Sequence, residues 1–260
     1  MLRILDHADI PSAMALLAEV GLAGGAANFA RYLSAQPDGI WGELDGDTLV
    51  GMASVLRYGA VGFVGCMAVS PAQQGRGIGR RVLEHAHHES RRAGITTFLL
   101  EATAHGAHLY ERLGYVHDYA STLLARTQAD TGDAVSIAHD RAAIFALDRE
   151  TVGCDRSSIL GPLIADARGA TIHTRDGLAG FGLVLDGRLG PVIAREPAIG
   201  RALIDRLAPG CSYAAIPLVH APVFEANGFT IAKPLSRMRL GPPVPIDLTR
   251  VFALASPGTG

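Results

Sequence analysis

The run Val69-Ser70-Pro71-Ala72-Gln73-Gln74-Gly75-Arg76-Gly77-Ile78-Gly79-Arg80 sets three alternate glycines between an apolar extended stretch and an amphipathic one. A loop of this kind has little side chain to shield its backbone, and it opens into a helix whose first amides have no acceptor within the helix. Those N–H groups and the positive end of the helix dipole favour an anion, a phosphate or a pyrophosphate. A Walker loop needs Gly-Lys followed by Ser or Thr, but here Gly79 precedes Arg80 and Arg81. A dinucleotide fingerprint needs its third glycine one place later and a parallel strand-helix-strand unit around it. Three alternate glycines taken alone also fit a plain turn.

A second run, Leu99-Leu100-Glu101-Ala102-Thr103-Ala104-His105-Gly106-Ala107-His108-Leu109-Tyr110-Glu111-Arg112-Leu113-Gly114-Tyr115, leads an extended stretch into a short helix bearing Tyr110. A phenol is protonated at neutral pH and can donate to a departing anion; it can also simply pack its helix. Glu101 closes its extended stretch, where a carboxylate either takes a proton, directly or through water, or caps the following turn. His105 and His108 are the lesser candidates for a base.

Together, Gln74-x-x-Gly77-x-Gly79 behind Val69, and Tyr110 with Gly114 and Tyr115 after it, resemble motifs A and B of the GNAT family of N-acetyltransferases. The resemblance implies acetyl-CoA as the cofactor. It puts Gln74, Gly75, Arg76, Gly77, Ile78, Gly79 and Arg80 on the pyrophosphate, and the main chain of Met67, Ala68 and Val69 beside the pantetheine arm, which lies like an added strand. It also implies that the strand ending at Val69 is splayed from the Thr96–Leu100 strand, that Thr103, Gly106 and Tyr110 line the cofactor, and that Tyr110 lies near its sulfur. The implied reaction is transfer of an acetyl group to a primary amine of a small molecule or peptide by direct attack, with Tyr110 and Glu101 as catalytic residues and a backbone N–H near Val69 polarising the carbonyl. A non-catalytic acyl-CoA-binding sensor would keep the loop but need no proton donor.

The elements that must hold these residues follow from periodicity. Apolar positions at helical spacing mark Ile10–Val20, with Asp9 as its cap and Pro11 in its first turn, and also Ala26–Leu33. Ile40–Leu44 and Thr48–Leu56 flank Asp45-Gly46-Asp47 as a hairpin, Gly62–Val69 is a third antiparallel strand, and Gly77–Ala93 is a helix stopped at Gly94. Strand, short helix and strand follow over Thr96–Leu100, Ala107–Leu113 and Tyr115–Leu124. The order predicts an α/β fold, α+β in character with a mixed sheet.

Thr127–Asp133 has no apolar period and reads as a linker. Beyond it, helix (Arg141–Arg149), strands (Thr171–His173, Leu178–Leu185, Arg188–Ala194), helix (Ala198–Leu207), strand (Tyr213–Pro217) and a short helix before Gly228 repeat the first half about 115 residues later. Leu147-Asp148-Arg149, Gly153-Cys154-Asp155-Arg156-Ser157, Gly190-Pro191-Val192, Phe224 to Phe229 and Arg237-Met238 resemble the C-terminal domain of a bacterial subfamily of tandem acetyltransferases. The expectation is two tandem acyl-CoA N-acyltransferase (GNAT-like) domains, a catalytic one at 1–128 and a degenerate one at 134–245. Phe224 stands in the place of Tyr110, and Arg195-Glu196-Pro197 in the place of the glycine loop, so the second copy is expected neither to catalyse nor to bind CoA.

Of the 260 residues, 48% are apolar and 18% charged, which suits a packed protein. A net charge of −2, with no basic run, gives no footing on nucleic acid. Asp6 and Asp9 interrupt any signal sequence, no apolar stretch reaches membrane-spanning length, and a cytoplasmic protein, monomer or homodimer, is expected. Cys66, Cys154 and Cys211 are too widely spaced for a disulfide framework or a CxxC site. His85, His87 and His88 lack a third ligand, so no metal is expected and they read as a solvated helix face.

Overall fold

The computed structural model describes residues 1–22, 25–127 and 140–260. The chain divides into two compact units, Met1–Leu99 and Leu100–Gly260. The expected inner boundaries at 128 and 134, and the expected linker beyond Thr127, lie outside the described residues.

In the first unit, β1 (Leu2–Ile4), β2 (Ile40–Asp45), β3 (Thr48–Tyr58) and β4 (Val61–Val69) form an antiparallel sheet in that order, to which the start of β5 (Thr97–Thr103) adds in parallel. The helices α1 (Ile10–Glu19), α2 (Ala26–Ala35) and α3 (Ile78–Arg92) complete it. β3 is buried almost throughout, with Met52, Ala53, Val55 and Leu56 fully enclosed. The cap of α1 differs from expectation. The Asp9 carboxylate pairs with Arg3 at 2.7 Å, and the capping box belongs to Asp6 on the preceding turn His7–Asp9. β1, only three residues long, carried no readable period.

α3 turns Val82, Leu83, Ala86 and His87 inward. His87 is thus not on a solvated face: its ring lies 4.4 Å from the Phe98 ring. Burial, reinforced by the Arg91 charge, pushes its pKa down to about 4. An unfolded histidine takes its proton near pH 6.5, so the stability due to neutral His87 is complete above pH 6.5 and is lost as the pH falls toward 4. We expect about 2 kcal/mol of stability to disappear between pH 6.5 and 4.5 on this account. His87→Phe should flatten that part of the acid denaturation profile; an identical slope in the variant would disprove the assignment.

The second unit begins with the end of β5, followed by α4 (Ala104–Arg112) and β6 (Val116–Ala125). It continues through α5 (Arg141–Val152), α6 (Ser157–Asp166), β7 (Arg168–Thr174), β8 (Gly177–Leu185), β9 (Arg188–Ala194), α7 (Pro197–Leu207), β10 (Tyr213–Pro217), α8 (Ala221–Glu225), β11 (Thr230–Leu240) and β12 (Val251–Ala253). The strand order is β5-β11-β6-β10-β9-β8-β7, with β12 on β9. β6 pairs antiparallel with β10 on one side, Tyr213 opposite Ala125, and with β11 on the other, Arg239 opposite Val116. By the repeat, β6 and β11 correspond, so the last strand of each repeat lies beside the penultimate strand of the other. That exchange is why the compact division falls at residue 99 and not near 128.

α6 and β11 escape sequence reading for identifiable reasons. α6 contains Gly161 and Pro162, both helix breakers, and is kept by burial of Ile159, Leu160, Leu163 and Ile164. β11 contains Pro234 and three cations, Lys233, Arg237 and Arg239. Among the described residues, no helix is long and apolar enough to cross a membrane.

Candidate active site

At the end of β4 the backbone is irregular where chemistry was expected. Gly65 opposes Ser54 and Ala68 opposes Met52, so Cys66 and Met67 together face Ala53: a β-bulge, with Cys66 at φ +47°. Burial holds the Cys66 thiol up at about 11, so it is a packing group and not a nucleophile. On its other edge, β4 pairs with β5 from Val61/Thr97 to Phe63/Leu99, then runs on to Val69 beyond this ladder. The main chain of Met67, Ala68 and Val69 lies in that extension.

The loop that follows is braced from its own sides. Gln74 donates from its side-chain amide to the Val69 carbonyl at 3.2 Å, and Arg76 donates to the side chain of Gln73. Arg81 donates to the Arg76 carbonyl at 2.8 Å and pairs with Glu43 at 2.5 Å, tying the loop to β2. Ile78 sits so close to β3 that a Cβ at Gly51 would lie 2.5 Å from its methyl group. Gly77, the N-cap of α3, is left-handed at φ +75° and has no side chain with which to cap the helix. The first-turn amides of Ile78, Gly79 and Arg80 therefore have no acceptor within α3 and no acidic side chain in that turn. Gln74, Gly75, Arg76 and Gly77 are exposed. A helix start of this kind has the chemistry to receive an anion, with Arg76 beside it and Arg80 paired with Glu84 at 2.8 Å.

In the second unit, Thr103 caps α4 by accepting from the Gly106 amide at 3.2 Å. Tyr110, 7% exposed, stands one turn further on, its ring 5.6 Å from Tyr115 in an edge-on contact and close to Gly106. Burial drives the phenol well above its ordinary pKa, so it keeps its proton throughout the physiological range. No hydrogen bond from its hydroxyl is found among the described residues. The second repeat reproduces this arrangement without the hydroxyl: Phe224 and Phe229 lie 5.6 Å apart, also edge-on.

Glu101 is held by partners that its place in the sequence does not reveal. Its side chain is fully buried, with one oxygen 2.6 Å from Arg237 Nε and the other accepting from the Ser121 hydroxyl. A carboxylate with both oxygens engaged is not poised as a free base, and the turn after it is capped by Thr103. Arg237, 136 residues away, was invisible as its partner. Burial alone would lower the Arg237 pKa, but Glu101 and Tyr119 hold it above the ordinary arginine value. Of the other candidates, His105 and His108 are exposed, and His108 lies 3.5 Å from Glu111.

Comparison with known proteins adds family identity to this geometry. Residues 36–117 match one family model described as an acetyltransferase (GNAT) domain, and residues 144–253 match a second with the same description. A candidate acetyltransferase from Pyrococcus horikoshii, a crystal structure 23% identical, superposes with a TM-score of 0.87 over 100% of this chain and 95% of that one. A GCN5-related N-acetyltransferase from Sphaerobacter thermophilus, 17% identical, gives 0.66 over 96% and 98%. One from Kribbella flavida, 16% identical, gives 0.57 over 92% and 70%. At these identities the structures establish the fold. No curated protein matches the chain.

Proposed function

Two acetyltransferase (GNAT) domains, at 36–117 and 144–253, make this chain a member of the GNAT acetyltransferase family, and from that premise we propose that it moves an acetyl group from acetyl-CoA to a primary amine of a small molecule or peptide by direct attack. The observation that carries the reading is the uncapped start of α3, where open amides, glycines and two arginines meet at the end of β4. When bound, acetyl-CoA supplies the acetyl group as a thioester. The chain's share is to hold the pyrophosphate on the amides of Gly75 to Arg80, align the arm along Met67, Ala68 and Val69, and keep a proton on Tyr110 for the departing sulfur. Thr103 and Gly106 set the pitch of α4 and with it the placement of Tyr110. Glu101, held by Arg237 and Ser121, serves in this reading as an anchor of β5. We assign catalysis to 1–128 and a degenerate copy to 134–245. Three thiols without disulfides suit a reducing cytoplasm. A sensor that binds acyl-CoA without turnover would have no use for an uncommitted, protonated Tyr110.

A panel of amines incubated with acetyl-CoA, read by thiol release, tests the proposal. Amine-dependent release supports it, and CoA binding with no release from any amine class favours the sensor. Tyr110→Phe should leave CoA affinity within about twofold while turnover falls roughly 10- to 100-fold. Because the phenol titrates far above the assay range, the loss should be equal at every pH from 6 to 9. Unchanged turnover under chemistry-limited conditions would return Tyr110 to a packing role.

A further inference from the structure

In the second repeat, β9, the Arg195–Pro197 turn, α7 and β10 correspond to β4, the glycine loop, α3 and β5. β9 and β10 run parallel for two residue pairs, Arg188 with Tyr213 and Leu189 with Ala214, and then β9 continues to Ala194. The wedge between them is filled by the chain itself. β12 pairs antiparallel with β9, Val251 opposite Ile193 and Ala253 opposite Val192, and the Ala194 amide donates to the Arg250 carbonyl at 3.0 Å. On the other side, the Leu254 amide donates to the Ala215 carbonyl of β10 at 2.8 Å. The segment is thus hydrogen-bonded to both strands, as a bound peptide would be in an open sheet.

Side chains seal it in place. Phe252, 2% exposed, stacks on His220 at 4.3 Å and lies against Gly200 in the first turn of α7, so closely that a Cβ at Gly200 would run into its ring. At Gly190 a Cβ would collide with the Leu254 carbonyl. The two arginines at the groove mouth, Arg195 and Arg250, are both held by Glu150, at 2.9 and 2.8 Å. Beyond β12, residues 254–256 stay buried, and the Gly260 carbonyl accepts from Arg156, itself paired with Asp148 at 2.6 Å.

We infer that the groove of the second repeat is a peptide-strand site whose ligand is the chain's own segment Arg250–Leu254, and that this occupant takes the place of a CoA arm permanently. The comparison with the first repeat's groove rests on the function proposed above; the seating of the segment does not. Hydrogen exchange on the full chain tests it. The amides of Ala194 and Leu254 should be protected as strongly as the core of β9. Leu254→Pro, which removes the donor to Ala215, should speed exchange at 193–194 and 251–253 by at least about tenfold and lower the melting temperature, while CoA binding stays at one equivalent per chain. Should Leu254→Pro fail to fold, Gly200→Ala drives a Cβ into the Phe252 ring and should accelerate exchange over the same residues. A wild-type Leu254 amide exchanging like an unstructured peptide would overturn the seating. A second equivalent of CoA bound by either variant would overturn permanence, showing the segment to be a gate over a working site. Failure of every form to bind CoA would count against the proposed function and leave the exchange result standing.

Discussion

Gly77→Asp should weaken CoA binding about 100- to 1,000-fold, or about 3–4 kcal/mol, in a protein that still folds. Two effects add at the ligand. The new carboxylate would stand at the N-cap of α3, where it can accept the first-turn amides that a pyrophosphate otherwise receives, and its charge would repel the phosphates. Stability should change less, because the left-handed backbone at φ +75° costs an aspartate about 1–2 kcal/mol while a capped helix start returns about 1. Space does not oppose the substitution, since the nearest atom to an added Cβ is the end of the Arg81 side chain at 3.4 Å. Gly77→Asn separates charge from shape: it tolerates the same backbone, carries no charge, and should retain most of the affinity that Asp loses. Calorimetry with CoA, beside a thermal melt, is the measurement. Equal affinity in folded Gly77→Asp and wild type would remove the loop from the cofactor site.

How far the sequence reveals this molecule depends on whether the information is local. The loop from Gln74 to Arg80 is legible because glycine spacing, a strand end and a helix start are adjacent in the chain, and the same holds for Thr103, Gly106 and Tyr110 at the cap and along one short helix. The hairpin of β2 and β3 follows from apolar runs flanking Asp45-Gly46-Asp47, and the amphipathic α3 from a period of 3.6. What stays hidden is set by pairing between distant residues. β11 is a strand because β6 supplies a partner along its length, despite Pro234, and no window of eleven residues records that partner. β12 is three residues whose identity as a strand comes only from β9. The bulge at Cys66 depends on the length of β3 opposite, and His87 reads as one of three helix histidines until Phe98 is brought against it. Glu101 shows the consequence for function: residue type and position suggest a base or a cap, and neither reading reveals the partner 136 residues away that holds it.

Arg237→Met should therefore be the most destabilising single change considered, costing about 3–5 kcal/mol and lowering the melting temperature by roughly 10 °C. The Glu101 side chain is wholly buried and that of Arg237 is 3% exposed, with the guanidinium also 5.2 Å from the Tyr119 ring. Removing the cation leaves a carboxylate in the interior with the Ser121 hydroxyl as its one remaining hydrogen-bond donor among the described residues, and an uncompensated buried charge costs far more than the pair contributes. The double variant Glu101→Leu with Arg237→Met should recover most of the loss, because two apolar side chains of similar volume need no solvation. The same pair decides what Glu101 does. If it is an anchor, Glu101→Gln lowers the melting temperature and leaves the pH–rate profile of amine acetylation with its wild-type shape. If it is the base, Glu101→Gln removes the acidic limb of that profile while the protein stays stable. A melting temperature for Arg237→Met within about 1 °C of wild type would refute the buried pair itself, and the role as anchor with it.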